Sequence, residues 1–195
     1  MLKHCVRIMV LLLCPIGVNA ATIVALDEPE LVQRADTIAF GNIIRTQVKV
    51  HPKYGVYTEA TVEVYDGLLG AKRGEVLTVL VPGGKLPNGQ KAIASGAPTL
   101  VAGERFFAFL EKRNGTYVPW GLSYGWLQVR QSPDGELVVS RVLNGLHPVD
   151  PKGKAVGIKK IQLENIPLRE LSTRIRGYLQ ARVPTEPEQS SGGVR

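Results

Sequence analysis

The sequence predicts an all-β domain with flanking helices, most simply a small, partly open β-barrel of five to seven strands. Apolar and polar residues alternate with a period of two in several segments between residues 37 and 141, which is typical of half-buried strands. Strong turn signals separate these segments, and a helical spacing of apolar residues occurs only near the two ends. A β-sandwich fits the same pattern and is the alternative.

The first twenty residues have the features of a secretory signal peptide. Lys3 and Arg7 give a positive start, residues 8–13 are apolar, and Val18-Asn19-Ala20 places small residues before a cleavage site. The apolar run is shorter than the roughly 20 residues that a membrane-spanning helix requires. We therefore expect residues 1–20 to be removed and the protein to be periplasmic or extracellular, with no transmembrane segment after cleavage.

Composition limits the chemistry of the exported chain. Loss of 20 residues from 195 leaves 175, enough for one domain with a real core, with 22 basic and 17 acidic side chains and a net charge of +5. This surplus indicates a solvated surface or attraction to an anionic envelope, and export argues against a nucleic-acid partner. Both cysteines, Cys5 and Cys14, lie in the signal, which excludes disulfides. A lipid anchor on Cys14 is the alternative, but Leu13 stands where a lipoprotein signal requires a small residue.

The first structural element is a short helix that begins at Asp27-Glu28-Pro29-Glu30. Asp27 can cap it, proline suits the first turn, and acidic residues favour the positive end of a helix. Leu31, Val32 and Ala35 then share one face, and the helix is expected to end near Asp36.

Strands follow from Thr37. The first is apolar on both faces, and Gly41 is expected to mark a bulge or bend. A turn at residues 51–55 leads to a strand over 57–65 with one buried and one solvated face, and residues 76–81 form another. In the first of these strands, one face is expected to carry Ile38, Phe40 and Ile44, and the other Ala39, Gly41 and Ile43. Residues 66–67 and 70–74 are expected to be loops.

The most hydrophobic strand lies around residues 106–110 and is expected to be central because both of its faces are apolar. Asn114-Gly115 predicts a tight hairpin, since both turn residues adopt positive φ angles easily. A second hairpin is predicted at residues 133–135, between strands over 127–130 and 137–141.

Residues 144–195 no longer show the alternating pattern of the strands that precede them. Residues 144–160 are rich in glycine and proline and are interpreted as a loop, and a helix is expected to begin near Pro167. The domain is therefore predicted to span residues 21–183, followed by a disordered tail over 184–195. The apolar stripe of the final helix comprises Leu168, Leu171, Ile175, Tyr178 and Leu179.

Two regions are candidate contact surfaces. Residues 85–100 form a long segment with little periodicity that carries Lys85 and Lys91, and long loops in compact domains are often functional. Residues 120–126 are interpreted as a strand with one bulky face and one nearly bare face. The bulky side chains Trp120, Tyr124 and Trp126 are expected to be core residues or an aromatic platform for a sugar or peptide.

Residues 121–125 match the Gly-x-Ser-x-Gly nucleophile elbow. Asp134 and His147 follow Ser123 in the order of a catalytic triad. An elbow needs a strand-to-helix turn, however, and residues 126–129 have the pattern of a strand. This argues against a serine hydrolase.

Other catalytic and metal sites find little support. Glu59 and Glu63 share one strand face, as a glycosidase pair would, but acidic residues on a strand are usually solvated. His51 and His147 are the exported chain's only histidines, and it has no thiol. No metal or cofactor is expected.

Several short motifs together resemble a widespread group of exported bacterial proteins of unassigned function. They are Leu31-Val32-x-x-Ala35-Asp36-x-Ile38-x-x-Gly41, Thr61-Val62-x-Val64, Gly67-Leu68-Leu69-Gly70, Val81-Pro82-Gly83-Gly84, Gly96-Ala97-Pro98, Gly103-Glu104-Arg105, Phe109-Leu110, Gly121-Leu122 and Pro167-Leu168-x-Glu170-Leu171. The resemblance covers roughly residues 26–130, which is most of the domain, and implies no catalytic residues.

A fainter likeness to the netrin-like barrel of tissue inhibitors of metalloproteinases implies an OB-like barrel. Inhibition by that family's mechanism requires an N-terminal cysteine and disulfides, which this chain lacks. Because fold does not fix function, the likeness extends to the barrel alone.

The sequence therefore leads us to expect a non-catalytic binding protein, not an enzyme, whose partner is a protein or an envelope glycan. A hydrolase using Ser123 or the Glu59 and Glu63 pair is one alternative. A structural envelope protein is the other.

Overall fold

The computed structural model describes residues 21–157 and 161–182. Its strands are β1 (Ala21–Val24), β2 (Thr37–His51), β3 (Gly55–Leu69), β4 (Val76–Pro82), β5 (Gly84–Lys85), β6 (Lys91–Ala92), β7 (Arg105–Arg113), β8 (Thr116–Pro119), β9 (Trp126–Gln131), β10 (Leu137–Arg141), β11 (Leu146–Val149) and β12 (Ile166–Pro167). Its helices are α1 (Glu28–Arg34) and α2 (Leu168–Ala181), and a 3₁₀ turn spans Leu122–Tyr124.

Five strands form a ring in the order β7-β2-β3-β4-β8, closed by pairing of β8 with β7. All neighbours are antiparallel except β4 and β8, which are parallel and joined in register only at Val79 and Tyr117. The ring is therefore a small barrel with one open seam. The predicted all-β class and OB-like, partly open barrel are confirmed.

The main sheet extends beyond the ring on one side. Strands β9, β10 and β12 continue outward from β7, so that β7 has β2 on one side and β9 on the other. Strands β1 and β11 form a separate parallel pair, and β5 and β6 form a two-stranded hairpin. Strand β7 is central, as predicted.

Strand β7 supplies side chains to two hydrophobic clusters because both of its faces are buried. The barrel core contains Ala39, Ile43, Ala60, Val62, Val64, Leu77, Val79, Val81, Leu100, Phe106, Ala108, Leu110, Tyr117 and Trp126. The helix-side core contains Leu26, Leu31, Val32, Ala35, Ile38, Phe107, Phe109, Tyr124, Leu127, Val129, Val139, Leu146, Leu171 and Ile175. Alternation along β7 thus sends even-numbered residues into the barrel and odd-numbered residues towards the helices.

The two helices cover the helix-side core. Helix α1 begins at the predicted cap Asp27, and the structure adds a capping box in which Asp27 and Glu30 each accept the other's backbone N–H. Helix α2 buries Leu171 and Ile175 completely. Arg174 donates to Glu28 at 2.8 Å and so ties α2 to α1.

Several predictions about local structure are wrong. Residues 120–125 are a turn rather than a strand, because Gly121 and Leu122 both have left-handed φ angles near 60°, and Trp126 begins β9. Ile44 lies at a bulge between Ile43 and Arg45 and is 49% exposed instead of sharing a buried face with Ile38.

Some strands also extend or occur where loops were expected. Residues 66–67 belong to β3, which reaches Leu69 with register shifts. Residues 146–149 are β11, paired with an N-terminal strand that the sequence did not indicate. The predicted signal peptide, residues 158–160 of the predicted loop and the tail over 184–195 lie outside the described residues.

Candidate functional site

A cleft lies between the inner face of the β2–β3 hairpin and the segment over residues 83–100, and we name it the loop cleft. Its volume is about 490 Å³, within the range of about 300–1,000 Å³ that is usual for ligand pockets. It is lined by Thr46, Val48, Thr58, Val81, Pro82, Gly83, Gly84, Lys85, Lys91, Ala92, Ile93, Ala94, Ala97, Pro98, Thr99 and Leu100.

The hairpin wall follows from strand register. Val48 lies opposite Thr58 in the antiparallel pairing, and the two side chains therefore share a face. Two positions further along β3 that face enters the barrel at Ala60, which is fully buried. The loop cleft is thus an outward continuation of the barrel interior.

The segment over 83–100 is fixed against this wall at its start. The Gly83 N–H donates to the Val56 carbonyl at 2.9 Å, and the Thr58 hydroxyl donates to the Gly83 carbonyl at 2.8 Å. A Cβ at Gly84 would lie 2.7 Å from the Thr58 hydroxyl and 2.8 Å from a Val48 methyl group, and its φ angle is +148°. Only glycine allows the chain to lie this close to the hairpin.

The far end of the segment is fixed to the rest of the domain. The Gly96 N–H donates to the Asn144 carbonyl at 2.9 Å, and the Gly96 carbonyl accepts from the Ser123 N–H at 2.9 Å. The Asn144 side chain donates to the Ala97 carbonyl at 3.1 Å. Because both ends are held by hydrogen bonds, a segment with little regular structure forms a defined wall.

The loop cleft combines an apolar surface with two positive charges. Lys85 and Lys91 lie opposite each other in the β5–β6 hairpin, and neither makes an ion pair within the described part of the chain. Ile93 is 88% exposed, although it is a large apolar side chain. None of the described residues that line the cleft is acidic or aromatic. Such a surface can hold an apolar group next to a negative charge.

Sequence reasoning found the two lysines and the segment but missed the opposite wall. Thr58 is a buried polar residue on a strand whose neighbouring inward positions are apolar. That polar interruption was the available signal, since a buried hydroxyl needs a partner and here finds one in the segment. Ile93 was also missed, because it belongs to no alternating or helical pattern in the sequence.

The three predicted aromatic contact residues do not form one surface. Tyr124 is 0% exposed in the helix-side core, and Trp126 is 4% exposed and stacks on Phe106 in the barrel core. Trp120 is half-buried, with the Arg34 guanidinium 5.8 Å from its ring centre. Of the two alternatives that the sequence left open, Tyr124 and Trp126 are core residues, and Trp120 packs at the edge of the helix-side core.

The geometry around Ser123 differs from that of a catalytic triad. Its hydroxyl donates to the Leu143 carbonyl at 2.8 Å, and the residue is 1% exposed. His147 is exposed on β11, and Asp134 lies in the turn between β9 and β10. Within the described residues no hydrogen bond joins Ser123 to a histidine or an acid.

Glu59 and Glu63 lie at outward-facing positions of the same strand, β3. Glu59 accepts from Lys49 at 2.7 and 2.8 Å on the outer face of the hairpin, and Glu63 is half-buried further along the same strand. The part of the chain that the structure describes contains no group of three or more potential metal ligands.

Buried polar groups near the 3₁₀ turn hold the surrounding segments together. Arg141 is 8% exposed and donates to the carbonyls of Tyr124 at 2.9 Å and Ile161 at 2.6 Å. Burial lowers the pKa of Arg141, although the nearby phenol of Tyr124 and carboxylate of Glu28 oppose the shift. Burial likewise raises the pKa of Tyr124. The network is structural at Nε and Nη1 of Arg141, which donate to main-chain carbonyls, whereas the buried Nη2 has no hydrogen-bond partner among the described residues.

No protein family or curated relative supplies a function for this chain, so the function proposed below depends on the geometry of its surface clefts. No protein-family model matches the chain, and no curated protein shows significant similarity to it. Over residues 21–157 and 161–182, neither helix has the length and apolar character that crossing a membrane requires.

Proposed function

We propose that this protein is an exported, non-catalytic binding module that holds an extended peptide segment of a partner protein in the loop cleft. The observation that carries the proposal is the concave apolar surface flanked by Lys85 and Lys91, which lack acidic partners among the described residues. The peptide should present an apolar side chain and, beside it, a carboxylate.

The lining supports a peptide rather than an envelope glycan at this cleft. A sugar ring is usually held by the face of an aromatic ring, and the described lining residues include none. Val48 and Ile93 instead offer aliphatic surface, which suits a branched or aromatic side chain of a peptide. Lysine contributes a flexible positive charge that a carboxylate can approach from several directions.

Selection of random peptides displayed on phage, using the purified protein as bait, tests the proposal. The enriched sequences should share an acidic residue near a large apolar one. Their affinity should fall at least about tenfold in the double variant Lys85→Glu and Lys91→Glu, since each tenfold corresponds to about 1.4 kcal/mol. Ile93→Ser should weaken the same peptides without changing stability, because the side chain is exposed.

The matched control is Lys152→Glu with Lys154→Glu, which changes charge equally on exposed residues after β11. If this control loses as much peptide affinity as the Lys85 and Lys91 variant, the peptides respond only to the net charge of the protein. The proposal is then wrong. Absence of any enriched peptide is equally contrary to it. Export is tested separately by cell fractionation and N-terminal sequencing, which should find Ala21 first.

A further inference from the structure

A second cleft, between α2 and the outer face of β2 and β3, contains three arginines, and we name it the arginine cleft. Its volume is about 650 Å³. It is lined by Phe40, Tyr65, Asp66, Arg73, Leu168, Arg169, Ser172, Thr173 and Arg176. It shares no lining residue with the loop cleft and lies on the opposite face of β3.

Helix periodicity produces one wall of the arginine cleft. Arg169, Thr173 and Arg176 are separated by four and three residues, so they lie on one face of α2. That face differs from the buried face that carries Leu171 and Ile175. These three side chains are therefore not the ones that pack α2 onto the helix-side core.

The arginine cleft has an excess of positive charge. Among its described lining residues only Asp66 is acidic, and Asp66 is paired with Arg176 at 2.7 Å. Arg169 reaches Glu136 at 3.2 Å, but its side chain is 87% exposed and the pair is weak. Arg73 makes no ion pair within the described ranges. Two guanidinium groups are thus available to an anionic ligand.

The floor of the arginine cleft is aromatic. Phe40 and Tyr65 pack edge to face with ring centres 5.7 Å apart, and Tyr65 is 38% exposed. An exposed ring beside guanidinium groups suits a ligand with a flat or cyclic body and attached oxyanions. A planar guanidinium can donate two parallel hydrogen bonds to one carboxylate.

We infer that the arginine cleft binds oligosaccharides that carry carboxylate groups, as uronic acids do. The sugar ring packs against Tyr65, and Arg73 and Arg169 bind the carboxylates. The exposed ring of Tyr65 favours a ligand that carries sugar rings over the phosphate headgroups of a membrane surface. This site is independent of the peptide proposed for the loop cleft.

Calorimetric titration of the purified full-length protein with oligogalacturonate tests the inference. Binding is expected, weakening as salt is added, because the attraction between exposed charges is screened. The fully methyl-esterified oligomer keeps the sugar rings and loses the charges, so it should bind at least about tenfold more weakly. The double variant Arg73→Gln and Arg169→Gln should lose affinity to a similar extent, and Tyr65→Ser should also weaken binding.

The control variant is Lys152→Gln with Lys154→Gln, which removes two positive charges elsewhere and should bind normally. Circular dichroism confirms that each variant is folded. Equal binding of the esterified oligomer, or an equal loss in the control variant, overturns the inference. Preferential binding of inorganic phosphate or of phosphatidylglycerol vesicles does so too, since it assigns the cleft to another anion. None of these results bears on peptide selection at the loop cleft.

Discussion

Replacing Tyr124 with phenylalanine removes one hydrogen bond from the helix-side core while keeping the packed ring. The Tyr124 hydroxyl donates to the Leu26 carbonyl at 2.5 Å, and Leu26 is 7% exposed. A buried hydrogen bond contributes about 1 kcal/mol, and a carbonyl left buried without a partner costs about 1–3 kcal/mol. We expect Tyr124→Phe to lower the free energy of unfolding by about 2 kcal/mol. For a chain of this size that corresponds to a decrease in Tm of about 4–8 °C.

Urea denaturation followed by circular dichroism measures this change, and Tyr54→Phe is the matched control. Tyr54 is 69% exposed, so its variant should change stability by less than about 0.5 kcal/mol. Equal stability of the Tyr124→Phe variant and the wild type would show that the hydroxyl does not support the fold, and the assignment of this network as structural would be wrong.

The same side chain predicts a dependence on alkaline pH. Burial is the largest cause of the raised pKa of Tyr124, so the unfolded state releases this proton at a lower pH than the folded state. The contribution to stability is complete below about pH 10, the ordinary pKa of tyrosine, and is lost as the pH rises through the folded-state value. Tyr124→Phe should therefore lose less stability above pH 10 than the wild type does, and parallel curves would contradict this.

Further substitutions test the tight backbone contact and the serine. A Cβ at Gly41 would overlap the Glu63 carbonyl oxygen, so Gly41→Ala should destabilise the protein by at least about 3 kcal/mol in urea denaturation. Gly177→Ala, on α2 where a Cβ meets nothing within 4 Å, should instead stabilise it by about 0.5–1 kcal/mol. Ser123→Ala should cost about 1 kcal/mol, and a fluorophosphonate probe should label neither this variant nor the wild type. Specific labelling of the wild type would favour the hydrolase alternative.

The predictable parts of the fold are those in which local pattern and tertiary environment agree. The capping box at Asp27, the alternation along β3 and the Asn114-Gly115 turn each follow from short-range chemistry, and each is present. The prediction of a strand over residues 120–126 was wrong because alternation of large and small side chains also occurs in a turn. Two successive left-handed residues, at Gly121 and Leu122, reverse the direction that a strand would have kept.

The pairing of strands that are distant in the sequence could not be predicted, for a different reason. Strand β1 has only four residues and is held by β11, more than a hundred positions away in the chain. No local pattern indicates such a partner, and the short segment has no independent stability. The same holds for both clefts, since the hairpin wall that faces Lys85 and the arrangement of Arg73 beside Arg169 exist only once the barrel and α2 have packed.

Strand β7 links the folding of the two halves of the molecule. Its side chains enter both hydrophobic clusters alternately, from Phe106 through Leu110, so neither cluster can lose its shared wall without disturbing the other. Heating should therefore melt the barrel and the helical layer in a single cooperative transition, with equal calorimetric and van't Hoff enthalpies. Either cleft would then exist only while the whole scaffold is intact, and proteolysis of partially opened chains should yield no stable fragment.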